Sequence, residues 1–271
     1  MPVDVYLLYI CLGAVAGLIS GLFGLGGGVV IVPILIFSFT AQGMSTEVLT
    51  HLAIGTSLAT IVITSISSVI THHRHGAVLW HVVKWLTPGI CLGAALGAIF
   101  AISITGSALQ LAFGVFLCLV ALKMAFSVNP EGAARMPGAF GKTAVGGVIG
   151  FVSSLFGIGG GSLTVPCLTW VKVPVKNAVG TSAACGFPIA LSGALTYFAK
   201  GYGDAGLPAG ALGYLYLPAF IGIIVSSTVF ARVGARLAHR LPGVLLSRGF
   251  ALLLIIIGVR FVWRNAGLLF N

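Results

Sequence analysis

Residues 20–28 read SGLFGLGGG and residues 153–161 read SSLFGIGGG. Each stretch lies inside strongly apolar sequence, and each is followed by a short apolar run with a proline, Pro33 in the first and Pro166 in the second. The glycine clusters Gly24-Leu25-Gly26-Gly27-Gly28 and Gly157-Ile158-Gly159-Gly160-Gly161 break a helix and free backbone N–H and C=O groups. At membrane depth such groups are tolerated only where they are buried in protein or line a cavity. A pair of broken segments in corresponding positions of two halves points to a transporter's binding site.

The surrounding chain fits a membrane. Of 271 residues, 58% are hydrophobic and 7% charged, with a mean hydropathy of +1.14, whereas a soluble domain carries roughly 25% charged residues. Four acidic residues in all leave little material for a carboxylate-based enzyme. The formal charge of +10 reads as helix-end anchors in the bilayer, not as a nucleic-acid surface. Cys11, Cys91, Cys118, Cys167 and Cys185 fall singly in apolar runs and read as small packing residues. No cofactor is expected. The His72, His73 and His75 cluster sits in a short loop beside Arg74, which reads as an anchor and not as a metal site.

The two halves repeat one order. In the first, 5–23 leads into the glycine cluster, 29–39 is a short second leg, and 51–70, 85–104 and 109–126 are spans. In the second, 143–156 and 162–170 form the broken pair, and 178–199, 211–231 and 244–263 are spans. Gly55-Thr56-Ser57 and Gly180-Thr181-Ser182 open corresponding helices. Pro88 and Pro218 are read as a matching pair, as are Lys123 and Arg260. The expected fold is therefore an all-α integral membrane protein of eight to ten segments, with an N-terminal repeat (1–126), a linker (127–142) and a C-terminal repeat (143–271).

Charge sets the expected topology. If each broken hairpin leaves and returns to one side, Arg74, Lys84, Lys123, Arg135, Lys142, Lys172, Lys176, Arg232, Arg236, Arg240 and Arg248 share a face, against Lys200, Arg260 and Arg264. Basic residues favour the cytoplasmic side of short loops. This bias implies repeats of opposite orientation, an outside N-terminus and a cytoplasmic linker, with the two glycine tips approaching near the midplane. Whether the hairpins are re-entrant or full passes stays open.

The doubled Gly-Leu-Phe-Gly-Leu-Gly-Gly-Gly with its Val-Pro, and the Gly-Thr-Ser pair, resemble the TauE/SafE family of sulfite exporters and related permeases across essentially the whole chain. The resemblance implies a bacterial inner-membrane secondary carrier for sulfite or small organosulfonates, with export as the expected direction. The second copy departs from the first: Ser154 stands opposite Gly21, and Ser162 opposite Val29. An anion calls for donors without competing carboxylates. The expected set is the tips (Gly24, Gly26, Gly27, Gly28, Gly157, Gly159, Gly160, Gly161) with the hydroxyls of Ser20, Thr56, Ser57, Ser153, Ser154, Ser162, Thr181 and Ser182. Pro33, Pro166, His51, Lys123 and Arg260 are candidates for coupling or gating; His51 equally reads as a helix-end residue, and Lys123 and Arg260 as cations reaching the headgroups. All four acids fall in loops or ends, so passive anion exit under an inside-negative potential is expected. Alternatives are an importer of thiosulfate or a small organic acid, an anion channel, and a polytopic membrane enzyme. The lipid bilayer is the expected surround. The Gly13/Gly17/Gly21 and Gly89/Gly93/Gly97 faces suit packing within the monomer or in a homodimer.

Overall fold

The computed structural model describes residues 3–23, 27–125, 138–204, 206–238 and 243–269. The first half holds α1 (Val3–Phe23), α2 (Gly28–Ala41), α3 (Leu49–Arg74), α4 (Trp80–Ser103) and α5 (Gly106–Ala125). The second holds α6 (Ala139–Phe156), α7 (Gly161–Trp170), α8 (Val175–Gly201), α9 (Leu217–Ala238) and α10 (Gly243–Asn265). A small antiparallel hairpin, β1 (Ala211–Leu212) and β2 (Leu215–Tyr216), precedes α9. Among the described residues, α3, α4, α5, α6, α8 and α9 are long and apolar enough to cross a membrane. The protein is an all-α membrane protein.

Glycine decides which helices meet. Without a hydrophobic driving force between helices in lipid, close backbone approach and dispersion hold a bundle together. On α4, a Cβ at Gly89, Gly93 or Gly97 would strike backbone atoms of Thr143, Gly147 and Phe151 on α6. On α1, a Cβ at Gly13 or Gly17 would strike backbone at Ile223 and Ser227 on α9. Residue numbers rise together along both seams, so each pair is parallel. The seams α5–α10 and α3–α8 are antiparallel: Gly114 meets Gly258 while Gln110 meets Asn265, and Gly55 meets Tyr197 while Leu58 meets Gly193. Every one of these seams joins one half of the chain to the other.

Both broken hairpins return to the face they start from. At the end of α2, Gln42 Nε2 donates to Tyr9 Oη near the start of α1 (2.6 Å), and the Tyr9 and Phe39 rings meet edge to face at 6.3 Å. At the end of α7, Trp170 and Val171 line one cavity with Lys142 at the start of α6. The helix directions then gather Arg74, Lys84, Lys123, Lys142, Lys176 and Arg248 at one end of the bundle and Lys200, Arg260 and Arg264 at the other.

Three boundaries differ from the sequence reading. The polar stretch 71–84 is mostly helical: His72, His73 and Arg74 extend α3, where cations suit a helix C-terminus, and α4 already begins at Trp80. The basic stretch after 231 continues α9 as far as Ala238. The expected span 211–231 opens as the β hairpin, since Gly210 and Gly213 take positive φ (91° and 56°) and turn the chain before α9 begins. The hairpin tucks inward: Tyr214 O lies against Gly55, and Tyr214 Oη donates to Asp204 Oδ2 (3.1 Å). Burial first, then that carboxylate, push the Tyr214 phenol above its ordinary range. The packing also separates Pro88 from Pro218. Ala77 and Leu79 before α4 take the places that Tyr214 and Tyr216 take before α9. On that register Pro88 lies well inside α4 and Pro218 is the second residue of α9.

Candidate functional site

The two tips meet. A Cβ on Gly28 would lie 2.6 Å from Gly157 O and 2.8 Å from Ile158 Cα. One on Gly157 would lie 2.9 Å from Val32 Cγ2 and 3.1 Å from Ile54 Cα. Gly27 (φ 76°) and Gly157 (φ 67°) turn the chain through left-handed conformations that side chains resist. Gly157 caps α6, and Ile158 N–H closes the turn by donating to Ser153 O (2.9 Å). Gly160 sits close to α8, where an added Cβ would lie 3.0 Å from Ser182 O and 3.2 Å from Gly186 N. Pro33 and Pro166 lie inside α2 and α7. Each lacks the N–H that would bond the carbonyl four residues back, Val29 O and Ser162 O.

The hydroxyls divide into two groups. Those of α3 are engaged. Thr56 Oγ1 donates to Leu52 O (2.6 Å) and accepts from Tyr216 N–H (2.9 Å), and Ser57 Oγ donates across the tips to Gly157 O (2.8 Å). Thr181 matches Thr56, accepting from Leu79 N–H (3.0 Å). These threonines pin the segments that precede α9 and α4. By contrast Ser153, Ser154, Ser162, Thr164 and Ser182 are buried, and none of their hydroxyls has a partner. All five belong to the second half and flank its glycine tip on α6, α7 and α8. The contacts draw some of them to the first half: Ser154 Oγ and Leu58 of α3 both lie against Gly193 of α8. A buried hydroxyl without a partner costs about 1–3 kcal/mol, and five of them lie around this one turn.

Ser20's side chain, Gly24 and Gly26 lie outside the described residues. Gly161 opens α7, with Thr164 N–H donating to Gly160 O (2.8 Å). Thr164 was not among the residues expected from sequence, nor were Tyr197 and Ser227, whose buried hydroxyls are also unpartnered. The signal for all three is a polar side chain inside an apolar run, which is weak because most such groups bond back to their own helix. Thr60, Thr87 and Thr196 do so here.

His51 is buried at the start of α3. Its Nδ1 faces Glu47 O (3.2 Å), and its Nε2 faces Ala101 O (3.0 Å) and Ile104 O (3.2 Å) at the end of α4. Among the described residues its hydrogen-bonding contacts are these backbone carbonyls, and its ring lies 5.6 Å from that of Tyr214. Lys123 and Arg260 are exposed at opposite ends of the bundle. Arg260 stacks on the Phe37 ring of α2 (4.8 Å), and Lys123 lies within electrostatic reach of Cys167 on α7. Arg260 thus stands beside the short leg of the other half.

The family described as "Sulfite exporter TauE/SafE" matches residues 9–261. A probable membrane transporter protein of Haemophilus influenzae is 38% identical over 93% of this chain and 96% of its own length. One from Methanocaldococcus jannaschii is 32% identical over 81% of this chain and 79% of its own, and one from Bacillus subtilis is 26% identical over 96% and 98%. No solved structure matches the chain.

Proposed function

The chain belongs to the TauE/SafE sulfite exporter family, and on that premise we propose that it is a secondary carrier exporting a small sulfur oxyanion, sulfite or an organosulfonate, across the bacterial inner membrane. The observation that carries this reading is the set of five unpartnered hydroxyls around the second tip. Ser153, Ser154, Ser162 and Ser182 donate to the anion's oxygens, and the first turn of α7 adds N–H groups and the positive end of its dipole. Ser57 and Gly28 close the floor from the first half. Neutral donors bind an anion without holding it as a salt bridge would, which suits a carrier that must let go.

Antiparallel seams between corresponding helices, α3 with α8 and α5 with α10, support inverted repeats. The basic excess at one end supports a cytoplasmic face there. His51 serves as a clasp between α3 and α4, with its Nε2 against the carbonyls that end α4. Transport then follows the anion's own electrochemical gradient, and an inside-negative potential favours exit by about 2.3 kcal/mol per charge per 100 mV.

The test is thermal unfolding of the purified protein with sulfite, a C2 sulfonate, sulfate, acetate and phosphate. A ligand that binds only the folded state stabilises it in proportion to ln(1 + [L]/Kd). Sulfite or the sulfonate is expected to raise Tm selectively, with the rise lost in Ser182→Ala. Stabilisation by acetate alone would discard the sulfur assignment. Uphill flux in liposomes driven by a pH gradient at zero potential would overturn the passive mechanism.

A further inference from the structure

The two short legs are unequal. The first, α2, runs 14 residues and buries ten of them. Its counterpart α7 runs only 10 and buries Ser162, Thr164 and Leu168. A leg about 15 Å long that starts at mid-depth leaves space beside it which the protein does not fill. That space is a cavity of about 180 Å³. Its walls are Val82 and Leu86 of α4, Val145 and Ile149 of α6, and Cys167 and Leu168 of α7. Among the described residues Lys142 is the one cation in its lining, and it stands at the end where α6 begins. Trp170, 56% exposed, flanks the same end. Thr164 closes the opposite end, nearest the glycine tip.

Chemistry selects the occupant. The walls are hydrocarbon, so a bare anion entering would lose its water and find almost nothing to bond. The volume is below the roughly 300 Å³ of a small-molecule pocket, so it admits a hydrocarbon chain and leaves the head group outside. Lys142 then faces that head group, with Lys84, Lys172 and Lys176 at the same end of the bundle and no acid among the described lining residues. Trp and Lys together mark the level of the lipid head groups, and basic pockets between membrane helices take anionic ones. We propose that this cavity is a binding site for an anionic phospholipid, with one acyl chain lying along α7 and the phosphate on Lys142. The chain's far end rests on Thr164, two residues beyond Ser162, so the lipid buttresses the leg that carries the candidate anion site. The inference does not depend on what that site transports.

The experiment is thermal unfolding of the full chain in detergent with added phosphatidylglycerol or phosphatidylcholine at equal mole fraction. Phosphatidylglycerol is expected to raise Tm by several degrees and phosphatidylcholine by none. Lys142→Gln and the cavity-filling Cys167→Phe should each abolish the rise. In a chain whose other four cysteines are replaced by serine or alanine, phosphatidylglycerol should slow alkylation of Cys167 by a membrane-permeant maleimide about tenfold. That second readout needs no cavity-filling variant to fold. Equal effects of the two lipids, a rise that survives Lys142→Gln, or the same rise from inorganic phosphate would each overturn the proposal.

Discussion

Ser182 and His51 show how differently a buried polar side chain can stand in one bundle. Ser182 Oγ bonds to nothing. Its replacement by alanine removes a desolvated group and sacrifices no interaction, so Ser182→Ala should match or slightly exceed the parent in stability, by up to about 1 kcal/mol. The same variant should lose anion-dependent stabilisation. Unfolding midpoints with and without sulfite measure both effects, and a destabilised Ser182→Ala would contradict the reading of this hydroxyl as idle in the fold. His51 is the opposite case. Its ring joins α3 to the carbonyls of Ala101 and Ile104. His51→Leu removes the side chain that faces those carbonyls and should cost about 1–3 kcal/mol, read as a lowered denaturation midpoint. His51→Gln, which keeps one donor, should recover part of it.

At the scale of elements, the glycine seams carry the packing. Gly93 presses on Gly147 so closely that no side chain fits. Gly93→Leu should force α4 from α6 and leave the protein unfolded or aggregated in size-exclusion chromatography. Gly249, with nothing within 4 Å of an added Cβ, should accept alanine without effect. Much of this scale was legible in sequence. The broken legs, the order of spans and the four-residue glycine spacing all follow from runs of residues read locally. The β hairpin was not, because four strand residues are too few to show alternation against an apolar background and the turn rests on Gly210 and Gly213. Of the candidate site, the sequence showed that the two tips would approach each other, and not which hydroxyls would be engaged. That Ser57 bonds Gly157 while Ser182 bonds nothing depends on partners a hundred residues away in the chain or absent, and local pattern holds no record of either. The matches proposed for Pro88 with Pro218 failed for a related reason: the hairpin inserted before α9 shifts the register of one half against the other.

For the whole molecule, the hairpin returns and the helix directions assign the described helix ends to one of two faces. Cysteines placed at Gln42 and Lys200 should react with a membrane-impermeant maleimide from one side of the cell membrane, and cysteines at Arg74 and Lys172 from the other. Labelling of Gln42→Cys and Lys172→Cys from the same side would refute the arrangement.

The cross-seams have a consequence for how the chain is made. α1 finds its partner in α9, and α4 in α6, so no helix pair of the first half completes that half's packing alone. At roughly 5–20 residues per second, α1 emerges on the order of 10 s or more before α9 exists. During that interval the Gly13–Gly17 face meets only lipid or the insertion machinery. The nascent protein therefore closes its cross-seams in order, α4 on α6 first and α1 on α9 only near the end, and a ribosome stalled at the linker would hold helices whose partners in the other half are not yet made.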